Sequence, residues 1–404
     1  LDLKLSFKRK EVTDIILFPD KEVKIFSDFE KTKEYFNKIL RVGKSDIGNL
    51  ERIIEISLKE TIELNKFKNA KELIHSLFKS KLLQKTLLVF TRNTGVPGEY
   101  LSAVNYAIFL KAYLADNGYY LPEGIDVFEK VLKDKFTEYG GEIKLGTNVE
   151  NIIIKNNAAV GIRVSDRSDF YAMNVISAGD FFETVKKLLD IKPLVEKMEQ
   201  MKTTVSSFLI YLILPLNMKD SFKDTSALWI ADKGECDNNF VSIFNNTDRN
   251  LLFDDKIIML GFMPKKKNYF GMYITSTARF ENEAVWNEYR NSFRDKILEK
   301  VEKRLVINLR GNSLLMNTAT PNTFHKFTNN NKGALHGWAP IKKQIDFSTS
   351  DSIPIKNLFF TGHWNTGYGQ GGIPWTVNRA MRTARIILSK NEIKRQLRNI
   401  ATAF

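Results

Sequence analysis

Alternating apolar and polar residues mark the start of the chain: "LDLKLSF", "TDIILF" and "KEVKIF" predict short strands paired around turns, with Pro19 and Asp20 at one reversal. From Asp28 to about Leu110 the period becomes 3.6 and lysine becomes frequent. This predicts a largely helical region, interrupted at "RVGKSDIGN" and "TRNTGVPGEY". Between Gly118 and Val164 a helix places Val127, Val131, Leu132 and Phe136 on one face, Gly140 and Gly141 end it, and "EIKLGTNVENIIIKNNAAVGIRV" supplies alternating strands. "DFYAMNVISAGDFFETVKKLL" then ends a strand at Ser177, Ala178, Gly179 and Asp180 and enters a helix. From Pro193 to Thr318 the strands lengthen to "SSFLIYLILPL", "IIMLGFMP" and "NYFGMYITST". They are followed by a helix with Val285, Tyr289, Phe293, Ile297, Val301 and Leu305 along one apolar face. The pattern is that of an α/β protein in which a sheet with a helix layered on it is inserted as a substrate domain.

Length and composition agree with that picture. With 404 residues, 43% hydrophobic and 12% aromatic, the chain can bury a large core divided between domains. No tract of biased composition and no period of 20 to 50 residues argues for disorder or a solenoid. The longest apolar runs, such as "FLIYLILPL", are too short to span a bilayer. A net charge of +14 favours anionic partners such as a phosphorylated cofactor or acidic lipid. The lysines are spread along amphipathic segments rather than gathered with aromatics, so solvated helix faces are expected and no nucleic-acid surface. A single cysteine, Cys236, excludes an intramolecular disulfide framework and fits a reducing, cytoplasmic setting. The opening "LDLKLSFKRKEV" has neither an initiating Met nor a signal-peptide pattern, and reads as internal to a longer protein.

One motif stands out. "GYGQGG", residues 367–372, matches G-x-G-x-x-G, the glycine fingerprint that rests a dinucleotide diphosphate on a helix N-terminus. The strand "NLFFTGHW" precedes it and the helix "IPWTVNRAMRTARIIL" follows, with Val377, Ala380, Met381, Ala384 and Leu388 on one face. The second strand that should carry a ribose-binding acid is missing: after Leu388 the chain is charged and helical, and Glu392 falls at the right distance in the wrong context. The motif therefore does not open a Rossmann domain. Two readings of it remain, a backbone brought close to an anionic ligand or a glycine-rich turn that merely connects strand to helix.

Four stretches in order resemble the flavin-dependent phytoene desaturase-like proteins, a branch of the amine-oxidase superfamily that includes carotenoid desaturases, carotenoid isomerases and retinol saturases. They are "GYYLPEGIDVFEKVLKDKFTEYGGEIKLGTNVENI", "NVISAGD", "TATPNTFHKFTNNNKGALHGW" and "NLFFTGHWNTGYGQGGIPWTVNRAMRTARII". The resemblance covers nearly the whole chain. It implies an FAD site in which Gly362, His363, Gly372 and Ile373 neighbour the flavin, Val149 meets the adenine side through its backbone, and Ala178 and Gly179 lie near the diphosphate. It also implies four blocks: 1–115 a substrate and helical subdomain, 116–190 a segment of the FAD domain, 191–318 the substrate-binding sheet, and 319–404 the closing FAD segment. Three departures qualify the match. The opening fingerprint and its acid are not found, Glu123, Gly124 and Ile125 replace the usual paired glycines, and His363 follows Gly362 where many relatives carry a small or acidic residue.

The implied chemistry is hydride transfer between flavin and a lipophilic, polyene or isoprenoid substrate, which needs little acid-base machinery. Consistently, the four histidines His75, His325, His336 and His363 show no metal-ligand spacing, and no catalytic residue is assigned. His325 and His336 are read as packing or cofactor-facing, His363 as the candidate beside the phosphates. Trp364, Tyr368 and Trp375 either wall the flavin ring or pack the closing helix. The lysine-rich stretch from Asn65 to Lys85 either lies on an anionic membrane surface, as peripheral contact with a source of lipophilic substrate would need, or is an ordinary solvated helix. The alternative to an enzyme is a non-catalytic remnant or binding module that lost the cofactor.

Overall fold

The computed structural model describes residues 4–115, 118–232, 237–344, 347, 352–364 and 372–401, with the backbone alone for residues 58, 59, 62 and 391–401. Cys236, Tyr368 and the first three glycines of "GYGQGG" lie outside the described residues.

A short β1 (Lys8–Arg9) precedes the hairpin of β2 (Val12–Leu17) and β3 (Glu22–Phe26), closed as expected around Pro19 and Asp20 by the bond from Phe18 N to Lys21 O. Helices follow: α1 (Phe29–Lys38), α2 (Lys44–Glu55), α3 (Leu58–Glu63), α4 (Ala70–Leu77), α5 (Lys81–Val89) and α6 (Ala103–Ala115). β4 (Tyr119–Tyr120) pairs back onto β1, and α7 (Asp126–Glu138) leads into an antiparallel sheet of β5 (Val149–Lys155), β6 (Ala158–Val164) and β7 (Asp169–Tyr171). β8 (Val175–Ser177), α8 (Phe181–Glu183) and α9 (Lys192–Glu199) complete this part.

The strand-rich region comprises β9 (Ser206–Pro215), β10 (Ala227–Ala231), α10 (Asp237–Asn245), β11 (Ile257–Lys266), β12 (Tyr269–Ala278), α11 (Glu283–Leu305), α12 (Leu309–Asn312) and β13 (Leu315–Ala319). The chain ends in α13 (Pro321–Thr328), β14 (Leu358–Phe360) and the long α14 (Ile373–Ala401).

Seven strands form one sheet in the order β13-β9-β12-β11-β10-β2-β3, antiparallel except for the β10–β2 pair. Strands from both ends of the sequence thus share a sheet. Its two faces carry separate cores, because alternate residues of a strand point to opposite sides. Ile16, Trp229 and Ile257 pack on Phe36, Leu50, Leu73, Leu87 and Leu110 of the helical layer. Ile15, Ile210, Leu228, Ile258 and Ile274 pack on Trp286, Ile297, Leu298 and Val301 of α11. The predicted stripe on α11 is displaced: Trp286 takes a buried place and Tyr289 faces out, since the larger indole fills the gap beside Phe208. With helices on one side and α11 on the other, Asp14 to Leu17 are buried on both faces of the sheet.

Two expected faces are not buried. On α7 no residue is buried, and Phe136 is 52% exposed. On α14 the stripe of Val377, Ala380, Met381, Ala384 and Leu388 is exposed, while Thr376, Arg379, Thr383 and Ile387 turn inward. Periodicity identifies an apolar face without saying what covers it. The stretch from Asn65 to Lys85 is two helices, not one, and its Leu73, Ile74, Phe78 and Leu83 are spent in the core, leaving no apolar face for a membrane surface. Among the described residues no helix is long and apolar enough to cross a membrane.

Candidate functional site

β8 and β14 lie side by side and parallel, with Leu358 opposite Val175 and Phe360 opposite Ser177. Thr361 N donates to Ser177 O at 3.0 Å, carrying the register one residue beyond the ladder. The two strands therefore end together. Open α/β sheets hold ligands at the carboxyl ends of parallel strands. Here those ends carry Ala178 and Gly179 on one side, Gly362 and His363 on the other.

Gly362 has φ +89°, and a Cβ on it would stand 3.0 Å from Ala178 O, so the close approach of the two ends depends on glycine. Ala178 and Gly179 line an open cleft of about 730 Å³ with Val149, Ile152, Ile162 and Ser177. Val149 begins β5 opposite Val164. Five of the seven expected cofactor residues thus gather around two strand ends and one cleft. Of the five, Val149, Ala178 and Gly179 line the cleft, and Gly362 and His363 lie beside it at the end of β14; the other two, Gly372, φ +109° with open space around it, and Ile373, 48% exposed, begin α14.

The turn after β8 is tightly bonded. Asp180 caps α8 by accepting from Glu183 N at 3.1 Å, and its other oxygen accepts from Asn331 N. Ser177 Oγ and Thr184 Oγ1 lie 2.9 Å apart, and Thr184 Oγ1 donates to Asp180 O at 2.8 Å. Burial outweighs the backbone donors and pushes the Asp180 carboxyl up to about 6.

"TPNT" forms the start of α13, where Thr320 and Thr323 make a reciprocal capping box with Pro321 in the first turn. From its end, residues 329–338 lead to Trp364, four residues beyond β14. His325 Nδ1 meets Asn330 O at 2.9 Å, a packing role, and Trp364 Nε1 donates to Asn330 Oδ1 at 3.0 Å. Trp364 is buried edge-on against Trp338 at 5.2 Å, which decides between its two readings in favour of packing. Gly337, φ +78°, allows His363 O and Trp364 to approach, since a Cβ there would meet them at 3.1 Å. His336 lies near His363, and burial pushes its imidazole down to about 4. The His363 pKa is lowered as well, by burial first and by Arg379 second.

Among the described residues, Thr361 Oγ1, His363 Nε2 and Trp338 Nε1, near the end of β14, are buried without a hydrogen-bond partner. Buried polar atoms are rarely left so. They fit a bound group that offers polar atoms of its own. The sequence reading named His363 but missed Thr361, Trp338, Asp180 and Arg379. Of these only Asp180 carried a signal, as the acid before a predicted helix.

The chain superimposes on an oxidoreductase from Methanosarcina mazei with a TM-score of 0.61, over 95% of this chain and 83% of that one, at 13% identity, a likeness of fold. In sequence it is 23% identical to the chloroplastic prolycopene isomerase of Daucus carota over 218 residues, 52% of this chain and 34% of that protein. It is 24% identical to the lycopene-forming phytoene desaturase of Pseudescherichia vulneris over 281 residues, 67% of this chain and 56% of that protein. Its homologues are thus carotenoid desaturases and isomerases, as the four motif stretches lead one to expect. The chain spans between a third and just over half the length of these relatives. No family model matches it.

Proposed function

We propose that the chain is part of an FAD-dependent oxidoreductase that moves hydride between the flavin and a lipophilic polyene or isoprenoid substrate. The observation that carries this reading is the meeting of Ala178 and Gly179 with Gly362 and His363 at neighbouring ends of parallel strands, beside a cleft bordered by Val149. FAD, when bound, supplies the hydride chemistry. The residues that would hold it are Val149 toward the adenine, Ala178 and Gly179 along the diphosphate, Gly362 and His363 beside it and the ribityl chain, and Gly372 and Ile373 at the start of the helix next to the flavin. Blocks 116–190 and 319–404 form the cofactor side, blocks 1–115 and 191–318 the substrate side.

The substrate side supports a hydrocarbon ligand. By register, Leu209, Tyr211, Ile213, Met259 and Tyr273 share the sheet face that looks toward the helical layer, and all are half-buried. The Tyr273 ring lies over Gly261, where a Cβ would stand 2.1 Å from it. These five side chains are largely apolar and carry no charge. Collection of the substrate from a membrane surface belongs to the same reading and would use a surface other than α4 and α5.

The test is direct. The purified chain is mixed with FAD, freed of excess and scanned in the visible range. Retained flavin bands near one-to-one stoichiometry support the reading, and polyene turnover is then assayed. A colourless protein refutes it for this chain and favours the binding module.

A further inference from the structure

The inward face of α14 holds an unusual charge. Arg379 is half-buried, yet among the described residues its only hydrogen bonds are long ones, from Nη1 to the carbonyls of Gly362 and His363, both at 3.5 Å. No carboxylate among the described residues pairs with it, and burial alone lowers its pKa. The fold treats its buried guanidinium groups differently. Arg92 is held by Asp237 and Asp254, and Arg279 by Glu281 and the carbonyls of Asp248 and Arg249. Drawing a cation partly out of water without a counter-ion costs free energy, so a fold that does so leaves a place where an anion from outside is favoured.

The surroundings fit an anion. The two carbonyls touch one guanidinium nitrogen and leave donors free. Among the described residues, His363 Nε2 and Thr361 Oγ1 are buried and unpartnered within the same three residues of chain. Arg379 helps to keep the His363 imidazole neutral, so that it can offer a hydrogen bond without adding charge. Gly362, the residue whose carbonyl meets Arg379, abuts Ala178 on the wall of the cleft.

We propose that Arg379 is the cation of an oxyanion site at the end of β14, completed by His363 and Thr361, which takes the diphosphate of the cofactor. The identity of the oxyanion rests on the FAD reading above. The site itself rests on the unpaired guanidinium and the two orphaned side chains.

The experiment uses the full chain, its Arg379→Gln and Arg379→Lys variants, and three probes: FAD, riboflavin (the same ring without phosphate) and inorganic pyrophosphate. Flavin binding is read by fluorescence, pyrophosphate binding by thermal shift. The native chain is expected to bind FAD with salt-sensitive affinity. Arg379→Gln should weaken FAD about tenfold or more and flatten the salt dependence, with riboflavin unchanged, and Arg379→Lys should recover part of the loss. The ligand-free melting temperature of Arg379→Gln should not fall, because an uncompensated charge has been removed. An arginine with a merely structural role would lower it. Equal binding of FAD and pyrophosphate by native and Arg379→Gln chains overturns the proposal, as does a native chain that binds neither. Failure of the FAD reading alone looks different: pyrophosphate binds in an Arg379-dependent way and FAD does not.

Discussion

Replacing Gly362 by alanine probes the meeting of the two strand ends. At φ +89° an L-residue is held in left-handed space, at a cost of about 1–2 kcal/mol. The added Cβ would also stand 3.0 Å from Ala178 O, inside the 3.4–4 Å of ordinary contact, which adds on the order of 1 kcal/mol of overpacking. Relief by moving apart is resisted by the bond from Thr361 N to Ser177 O and by the β8–β14 ladder. The expected loss of stability is therefore about 2–3 kcal/mol. Gly179 is the control: it has no positive φ, and a Cβ there meets nothing within 4 Å, so Gly179→Ala should stay within about 0.5 kcal/mol of the native chain. Both are measured by urea denaturation followed through tryptophan fluorescence, to which Trp338 and Trp364 beside the site contribute, and both are titrated with FAD. Gly362→Ala should lose stability and flavin together, whereas Gly179→Ala should keep its stability and lose flavin only through the methyl in the cleft. A Gly362→Ala chain as stable as the native one, with unchanged flavin retention, would refute the geometry and its role.

Two further predictions concern stability. Arg92 donates to Asp237 at 2.7 Å and Asp254 at 2.9 Å and lies over the Phe240 ring at 4.8 Å. Arg92→Met leaves two carboxylates buried without it and should cost about 3–5 kcal/mol in equilibrium denaturation; a loss under about 1 kcal/mol would contradict the assignment. His336 should make the protein acid-sensitive. Its folded pKa of about 4 lies below the ordinary 6.5, so the unfolded chain binds more protons between those values. Its contribution is full above pH 6.5 and is lost toward pH 4, by at most about 3 kcal/mol. Asp180 acts in the opposite sense, because its carboxyl is raised from 3.8 to about 6 and its ionisation opposes folding across that range. Chemical denaturation at pH 4.5, 5.5 and 7 should show a shallow native profile, and in His336→Gln a stability that falls as pH rises from 4.5 to 5.5. An unchanged profile in that variant would remove His336 from the account.

Much of the architecture was legible in the chain because strands and helices write their period into it: β9, β11, β12 and α11 lie where alternation and the 3.6 period predict. Partners across long separations were not. β2 pairs with β10 more than two hundred residues away, and Asp14 lies inside the strand predicted from "TDIILF". In the structure it is buried and accepts from Trp229 Nε1 at 2.9 Å and Tyr113 OH at 2.7 Å, a satisfaction that only the tertiary fold provides. Of the candidate site, family-like motifs pointed to Val149, Ala178, Gly179, Gly362 and His363, because glycines and small residues at strand ends survive as sequence signals. Arg379 was hidden for the opposite reason: on a helix with a clear apolar stripe, an arginine off the stripe is read as solvated, and here the helix is turned the other way.

The stretch 330–339 joins the two halves of the molecule, and its bonds explain why the displaced pKa values lie where they do. Toward the sheet, Thr204 N donates to Gly337 O at 2.9 Å, His336 N to Thr204 Oγ1 at 3.0 Å and Leu335 N to Val205 O at 3.1 Å, one or two residues before β9 begins. Toward the strand ends, Asn331 N donates to Asp180 and Trp364 packs on Trp338. A segment bonded on both sides excludes water from the groups it covers. Asp180 and His336 are those groups, and desolvation is the leading cause of both shifts. They are displaced in opposite directions because one is an acid and the other a base, and burial favours the neutral form of each. The joint that holds the ends of β8 and β14 against the seven-stranded sheet is thus also the structure that shifts Asp180 and His336 toward their neutral forms.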